Sequence, residues 1–324
     1  MRKLILLIFF CLPAIAAEHP GMDEFVARAY AEFGLPEEQV RTLLAGAEYK
    51  QSIVDAISRP AEGKPWHEYR KIFLTDRRVS QGIEFWRENR ALIAGASEKF
   101  GVDEEVIVAI IGVETSYGRN TGGYRTIDAL VTLGFYYPQN LSSDRSPFFS
   151  KELLQYMQLA NEESLPADEI TGSYAGAMGM GQFMPSSYRE YAVDFDGDGS
   201  RDLWRSTPDV VGSVANYLNR HGWQKGQPVT RRARATQGAA FDKIKRDLRP
   251  SLTVAEWEEL GFSSSSELSP ELPAAVLKLV EKDRNSYWLT FKNFYVITRY
   301  NRSPRYAMAV YQLSQEIKEG MGES

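Results

Sequence analysis

Between Val102 and Gly118 the chain reads VDEEVIVAIIGVETSYG. Ile107, Ile110 and Ile111 recur at helical spacing on one face, and the next position on that face is Glu114. Asp103, Glu104 and Glu105 suit the positive start of a helix, and Gly118 is placed to close it. The pattern predicts a helix with a carboxylate on its apolar face, at its C-terminal end. Desolvation and the negative helix pole both disfavour the charged form there, so the expected pKa of Glu114 is raised. An acid prepared this way suits general acid catalysis. The helix alone leaves a second reading open, a buried Glu paired with an Arg or Lys.

The 324 residues allow one large domain or two modest ones. A formal charge of -5 argues against a broad nucleic-acid or anionic-membrane surface. Arg2 and Lys3, the apolar run Leu4 to Leu12 and the small residues Ala14-Ile15-Ala16 read as a secretion signal over residues 1–16, with its cleavage site. Removing it takes the charge from -5 to -7, and the periplasm is the expected destination. The sole cysteine, Cys11, lies inside the signal. As a lipid-attachment point it would give an outer-membrane lipoprotein, but the bulky Phe10 before it fits that chemistry poorly. Cleavage leaves a chain without cysteine, stabilised by its core and not by disulfides.

Taken in order, residues 22–57 predict three short helices, and residues 60–65 a loop. Trp66 to Phe73 is aromatic and basic. One long amphipathic segment runs from about Thr75, a candidate N-cap, to Phe100, with Gly101 as its stop. Thr126 to Leu133 predicts a short helix, Phe135 to Ser150 a surface loop, and Lys151 to Glu162 a helix. Gly172 to Pro185, GSYAGAMGMGQFMP, lets backbones approach each other or a ligand closely, and serves tight packing equally well. Gln182 and Phe183 then pair an amide with a flat apolar ring, a combination that suits sugars. Thr207 to Gly222 looks helical. Residues 225–275 look irregular, with the run Ser263 to Ser266 as the linker candidate. LPAAVLKLV, SYWLTF and FYVITRY predict short strands, and Ser303-Pro304 opens a last helix on which Tyr306, Val310, Leu313 and Ile317 share a face.

Asp194 to Asp202, DFDGDGSRD, resembles the front half of an EF-hand loop: Asp194, Asp196 and Asp198 alternate, and Gly199 falls at the sharp turn. Arg205 stands where the twelfth-position Glu belongs, which leaves Asp202 or Asp209 to complete a cation shell. An acidic turn without an ion is the other reading. Only His19, His67 and His221 exist, widely spaced, so a zinc site or a Ser-His-Asp triad is not expected. GAMGMG follows a helical region and not a strand, so it is no dinucleotide fingerprint. Carboxylate acid/base work in an exported chain rich in Tyr and Trp points to glycan cleavage.

Those residues carry a resemblance. GVETSYGRNTGG with DAL behind it, GSYAGAMGMGQFMPSSYREYAVDFDGDGSRDLW, SVANYLNRHGW and ITRYN occur in order and closely resemble the MltB-type (family 3) lytic murein transglycosylases, over about residues 22–318. The likeness implies a mainly α (α+β) fold. It has a lysozyme-like core (about 101–190 and 276–324), a helical domain (about 22–100 plus part of 225–275) and an EF-hand-like loop (about 191–210). It implies an exo-acting carbon–oxygen lyase, a monomer, that cuts the MurNAc-β-1,4-GlcNAc bond of peptidoglycan without water and leaves a 1,6-anhydro-MurNAc end. Glu114 would be its single acid/base, with substrate assistance in place of a carboxylate nucleophile. Ser173, Gln182 and Phe183 match the sugar-contacting motif, Tyr69 the aromatic of the YRK-x-F motif, and Tyr300, Asn301 and Tyr306 the groove-lining TRYN segment and the Tyr after it. Asp194, Asp196, Asp198 and Ser200 match the metal loop, with Asp209 as distal ligand for a structural calcium or sodium; catalysis would need no cofactor. The expected partners are glycan strands, with other murein synthases or hydrolases beside them. Gln139 and Asn140 stand where relatives often carry arginines toward the substrate's peptide. Two alternatives stand against this reading: a hydrolase of the same fold with Asp128 as second carboxylate, and a non-catalytic murein-binding protein.

Overall fold

The structure, a computed structural model, describes residues 18–59 and 63–322. The predicted signal, its cleavage site and Cys11 lie outside the described residues, as do residues 60–62 of the predicted loop.

The core is built on α7 (Glu104–Thr115), which is buried along nearly its whole length from Val106 to Val113. Around it pack α5 (Asp76–Glu88), α6 (Arg90–Phe100), α11 (Thr207–Arg220) and the long C-terminal α14 (Pro304–Gly322). The face predicted for α14 is the buried one, since Tyr306, Val310, Leu313 and Ile317 are each at most 2% exposed. A second layer sets α8 (Thr126–Phe135) against α9 (Ser146–Glu162), with α1 (Met22–Phe33), α2 (Glu37–Ala45) and α3 (Gln51–Ile57) outside it. Helix α4 (Trp66–Phe73) leans on α14. Two short strands, β1 (Tyr124–Arg125) and β2 (Thr171–Gly172), pair antiparallel and tie the segment after α7 to the start of the Gly-rich stretch. Helix α10 (Pro185–Tyr191) follows that stretch.

Three expectations are corrected. The predicted single helix from Thr75 to Phe100 is broken at Asn89, which leaves helical geometry (φ -112°, ψ 24°) and donates to the Phe85 carbonyl through both its backbone N–H at 3.1 Å and its side-chain amide at 2.8 Å. FYVITRY is not a strand but helix α13 (Lys292–Tyr300): Phe294, Ile297 and Thr298 share one buried face at helical spacing, and packing overrides the β preference of these residues. Residues 225–275 are neither an irregular linker nor part of the helical layer. They hold β3 (Thr230–Ala235), β4 (Leu252–Thr253), helix α12 (Val254–Glu259) and β5 (Phe262–Ser264). With β6 (Pro273–Val280) and β7 (Asn285–Thr290) these strands form one antiparallel sheet, order β4-β6-β7-β3-β5. The serine run sits inside it, Ser263 opposite Arg234 and Ser264 opposite Ala233. Residues 276–290 therefore form strands of this sheet, one face of which, with Ala275, Leu277 and Leu279, packs into the helical core. The sheet has its own hydrophobic cluster around Trp257, Phe262, Val276, Leu289 and Phe291.

Candidate active site

Glu114 is the penultimate residue of α7 and is part-exposed, not buried. The helix stops earlier than Gly118. Ser116 and Tyr117 both take left-handed backbone (φ 51° and 61°), and their amides close on the carbonyls of Gly112 and Ile111. Two consecutive non-glycine residues in that region are strained, and such strain is held by surrounding structure. Here the support is visible. Thr115 Oγ1 donates to the Met180 carbonyl at 2.9 Å, tying the helix end to the Gly-rich stretch.

The Tyr306 hydroxyl donates to Glu114 Oε1 at 2.6 Å. Burial, and next the charge of Glu114, push the Tyr306 phenol well above its ordinary range, so it remains a donor. The same two causes act on Tyr300, whose hydroxyl donates to the Gly181 carbonyl at 2.6 Å. Gln182, itself at φ 51°, donates through Nε2 to the carbonyls of Thr121 and Gly179, each at 3.0 Å. Ser173 Oγ accepts from the amides of Ala175 and Ala177. Asn301 Oδ1 accepts from Ser303 N at 2.9 Å, turning the chain from α13 into α14. Glu114, Gln182, Tyr300, Asn301 and Tyr306 thus converge where the end of α7, the Gly-rich stretch and the α13–α14 turn meet.

Two predicted contact residues are placed otherwise. Phe183 is 2% exposed and packs against Tyr217 and Tyr300. Tyr69 is 1% exposed and sits between Trp66 and Phe73. Both rings back the cleft and present no open face to a sugar. Asp128 is also placed otherwise. It is 2% exposed and accepts from Glu48 N at 2.9 Å and from Arg125 Nε and Nη2 at 2.9 and 2.7 Å. That carboxylate is a structural ion pair and is not available as a nucleophile. Asp128→Ala is expected to cost about 2 kcal/mol of stability in urea unfolding, because the buried end of the pair and the Glu48 amide lose their partner while Arg125 keeps the Gly46 carbonyl and Glu48. It should leave kcat within about twofold at a temperature where the variant stays folded.

The sequence reading missed the support behind Glu114. Arg78 donates through Nη1 to the carbonyls of Gly112 and Val113, a cation on the C-terminal end of α7. Tyr117 donates to the Arg78 carbonyl at 3.0 Å and stacks on Phe85. Its ring fits because Gly112 lacks a side chain: a Cβ there would lie 2.5 Å from the Tyr117 hydroxyl. A glycine inside an otherwise apolar helix was the available signal.

In the acidic loop, carboxylate oxygens of Asp194, Asp196 and Asp209 lie within 4.8 Å of one another. Asp198 is exposed and outside this group of carboxylates, and Ser200 is exposed. Asp209 is fully buried. Burial pushes its pKa up, with Asp196 and Asp194 adding to the effect, against amide bonds from Phe195 and Asp202 that pull it down. A buried carboxylate facing two others is a donor set that suits a hard cation.

A family profile described as "Transglycosylase SLT domain" matches residues 17–315. The chain is 38% identical over 311 residues to membrane-bound lytic murein transglycosylase B of Escherichia coli, covering 93% of this chain and 83% of the relative. The soluble lytic transglycosylase SltB1 of Pseudomonas aeruginosa superposes with a TM-score of 0.85 at 46% identity, over 94% of this chain and all of that one (100%). An Escherichia coli lytic transglycosylase in complex with calcium gives 0.83 at 36% identity, over 95% of each chain. SltB3 of Pseudomonas aeruginosa, bound to NAG-anhNAM-pentapeptide, gives 0.79 at 32% identity, over 92% of this chain and 78% of that one. Among the described residues no helix is long and apolar enough to cross a membrane. On these likenesses, and on the lysozyme-like helical core built around Glu114, the chain belongs to the MltB-type lytic murein transglycosylases of the SLT-domain family.

Proposed function

We propose that this protein cuts the MurNAc-β-1,4-GlcNAc bond of peptidoglycan without water, with Glu114 as its one acid/base. The bond from Tyr306 to Glu114 carries the reading. In the first step the carboxyl of Glu114 gives its proton to the glycosidic oxygen, and the C1–O bond to the leaving GlcNAc breaks. In the second, the carboxylate takes the proton of the MurNAc C6 hydroxyl as that oxygen bonds to C1. Tyr306 suits both steps, because an oxygen of Glu114 accepts its hydrogen bond whether the acid is protonated or not. The N-acetyl group of the substrate assists at C1 in place of a carboxylate nucleophile, in keeping with the commitment of Asp128 to Arg125. Ser173, Gln182, Tyr300 and Asn301 hold the sugars, and Tyr69 and Phe183 shape the wall behind them. Mass spectrometry of fragments released from purified sacculi tests this reading. Anhydro-MurNAc ends are expected, and reducing ends would replace the lyase by a hydrolase.

The acidic loop suits a calcium ion held by Asp194, Asp196 and Asp209, bracing the start of α11. Saturating calcium should then raise thermal stability, by about 2.7 kcal/mol at a hundredfold excess over Kd. Asp209→Asn should abolish that increment. A calcium-independent Tm in the parent chain would remove the ion from this account. The N-terminal signal supports export to the periplasm, where murein strands lie.

A further inference from the structure

Beside the cleft, where α13 meets the segment before β4, two adjoining basins open, of about 610 Å³ and 360 Å³. Their charged lining is almost all of one sign. Arg249 and Lys292 line the first; Arg246, Arg299 and Arg302 line the second, and Asp247 is the only acid of either lining. Among the described residues none of these five cations stands in an ion pair. Arg249, Lys292 and Arg299 instead crowd the ring of Tyr295, at 5.5, 5.8 and 4.5 Å from its centre. Arg249 also donates to the Tyr295 hydroxyl at 3.1 Å. Like charges gathered round one aromatic ring repel one another, and an anion relieves that repulsion.

Three further observations point the same way. The Nε–H of Arg299 is buried and meets no acceptor among the described residues. Leu248, between Arg246 and Arg249 in sequence, is 2% exposed yet sits at φ 52°. A bulky residue pays strain in that conformation, and here it is anchored in the core while its neighbours face the basin. Third, the field of these cations is felt nearby. His221 is held below its ordinary range, first by burial and then by Arg299, Lys292 and Arg220, against a raising bond to the Tyr217 carbonyl. The second basin is lined from the same α13–α14 turn that carries the cleft residues: Arg302 directly follows Tyr300 and Asn301, and Pro304 lies two residues before Tyr306.

We propose that these basins are a subsite for the carboxylates of the peptide stems carried by the glycan strand in the cleft. The proposal rests on the murein reading above and extends it from the sugar backbone to the peptide. It gives the chain a carboxylate-reading surface on the opposite side of the sequence from Gln139 and Asn140, which carry no charge. The arginine forks match carboxylates in geometry as well as sign.

The test compares stem-bearing glycan strands with strands stripped of peptide by an amidase. The variant is Arg249→Gln with Lys292→Gln, both at exposed positions. KM for stem-bearing strands should rise about five- to tenfold, with kcat within twofold, because two partly screened charge contacts are lost. KM for stripped strands should not change, and added salt should erase the difference between the two substrates. An equal change on both substrates, or none on either, overturns the proposal. Direct binding of both strands to Glu114→Gln separates this outcome from failure of the enzymatic reading. A preference for stem-bearing strands that depends on Arg249 and Lys292 supports the subsite even if neither strand is cut, and its absence refutes the subsite even if both are.

Discussion

Glu114→Gln should lower single-turnover cleavage of murein strands by about a thousandfold, within the 10²- to 10⁴-fold range typical of a positioned general acid or base. The substitution is close to isosteric. The amide carbonyl of Gln still accepts the bond that Tyr306 now gives to Oε1. The strained turn at Ser116 and Tyr117 is held by Thr115, Arg78 and backbone bonds that do not involve the carboxyl. Tm should therefore stay within about 2 °C while both proton transfers are lost. A variant that keeps more than a tenth of the parent rate would move the chemistry to another group. Tyr306→Phe should sit between the two, because it removes the fixed orientation of the acid and not its proton. The phenol stays protonated well above neutrality, so no loss of rate from its ionisation is expected up to about pH 9.

Gly122→Ala should cost about 4 kcal/mol. Gly122 lies at φ 95°, where a side chain is strained by roughly 1–3 kcal/mol. A Cβ added there would stand 2.1 Å from the Gly172 carbonyl oxygen, which adds an overpacking cost of about 1–3 kcal/mol. The clash cannot be relieved by a rotamer, because the atom it meets is backbone. Relief means parting β1 from β2, whose register pairs Tyr124 with Gly172 and Arg125 with Thr171. Ser173 and the rest of the Gly-rich stretch would move with β2, so activity should fall as well as stability. Gly123→Ala is the matched control. No atom lies within 4 Å of its Cβ position and its φ is not left-handed, so a change within about 0.5 kcal/mol is expected. Urea midpoints at constant slope decide the matter, and equal destabilisation by the two substitutions would contradict the steric account.

Much of the helical core was legible because helix signals are local. Thr75 caps α5 through the Arg78 amide, Gly101 ends α6 at φ 64°, and Ser303 precedes α14, whose predicted face is the buried one. Glu114 was legible for the same reason, as the charged end of an apolar stripe. The sheet was harder. In TRRARA the small Ala233 turns inward between exposed Arg232 and Arg234, and so many charges read as a loop. What periodicity could not supply was depth. Phe183, Tyr69 and Tyr300 read alike as candidate sugar contacts, yet two are buried and one reaches the cleft edge. Asp128 likewise looked available until its partner on the α2–α3 connection, Glu48, came into view, 80 residues away in sequence. Burial and pairing are set by contacts distant along the chain, and no local pattern encodes them.

The antiparallel sheet has a consequence for how this enzyme can vary. Thr230, where it begins, pairs with Thr290, where it ends. The chain thus leaves the helical core and returns to it at one doorway, and the sheet keeps a separate hydrophobic cluster of its own. Residues added or removed at its far hairpins leave the distance across that doorway unchanged. The module also contributes Leu272 and Pro273 to the wall of the larger basic basin. The opposite face of the sheet, with Ala275, Leu277 and Leu279, packs into the helical core, so this freedom is confined to the hairpins. The hairpins can therefore change length without moving the two points at which the chain enters the helical core.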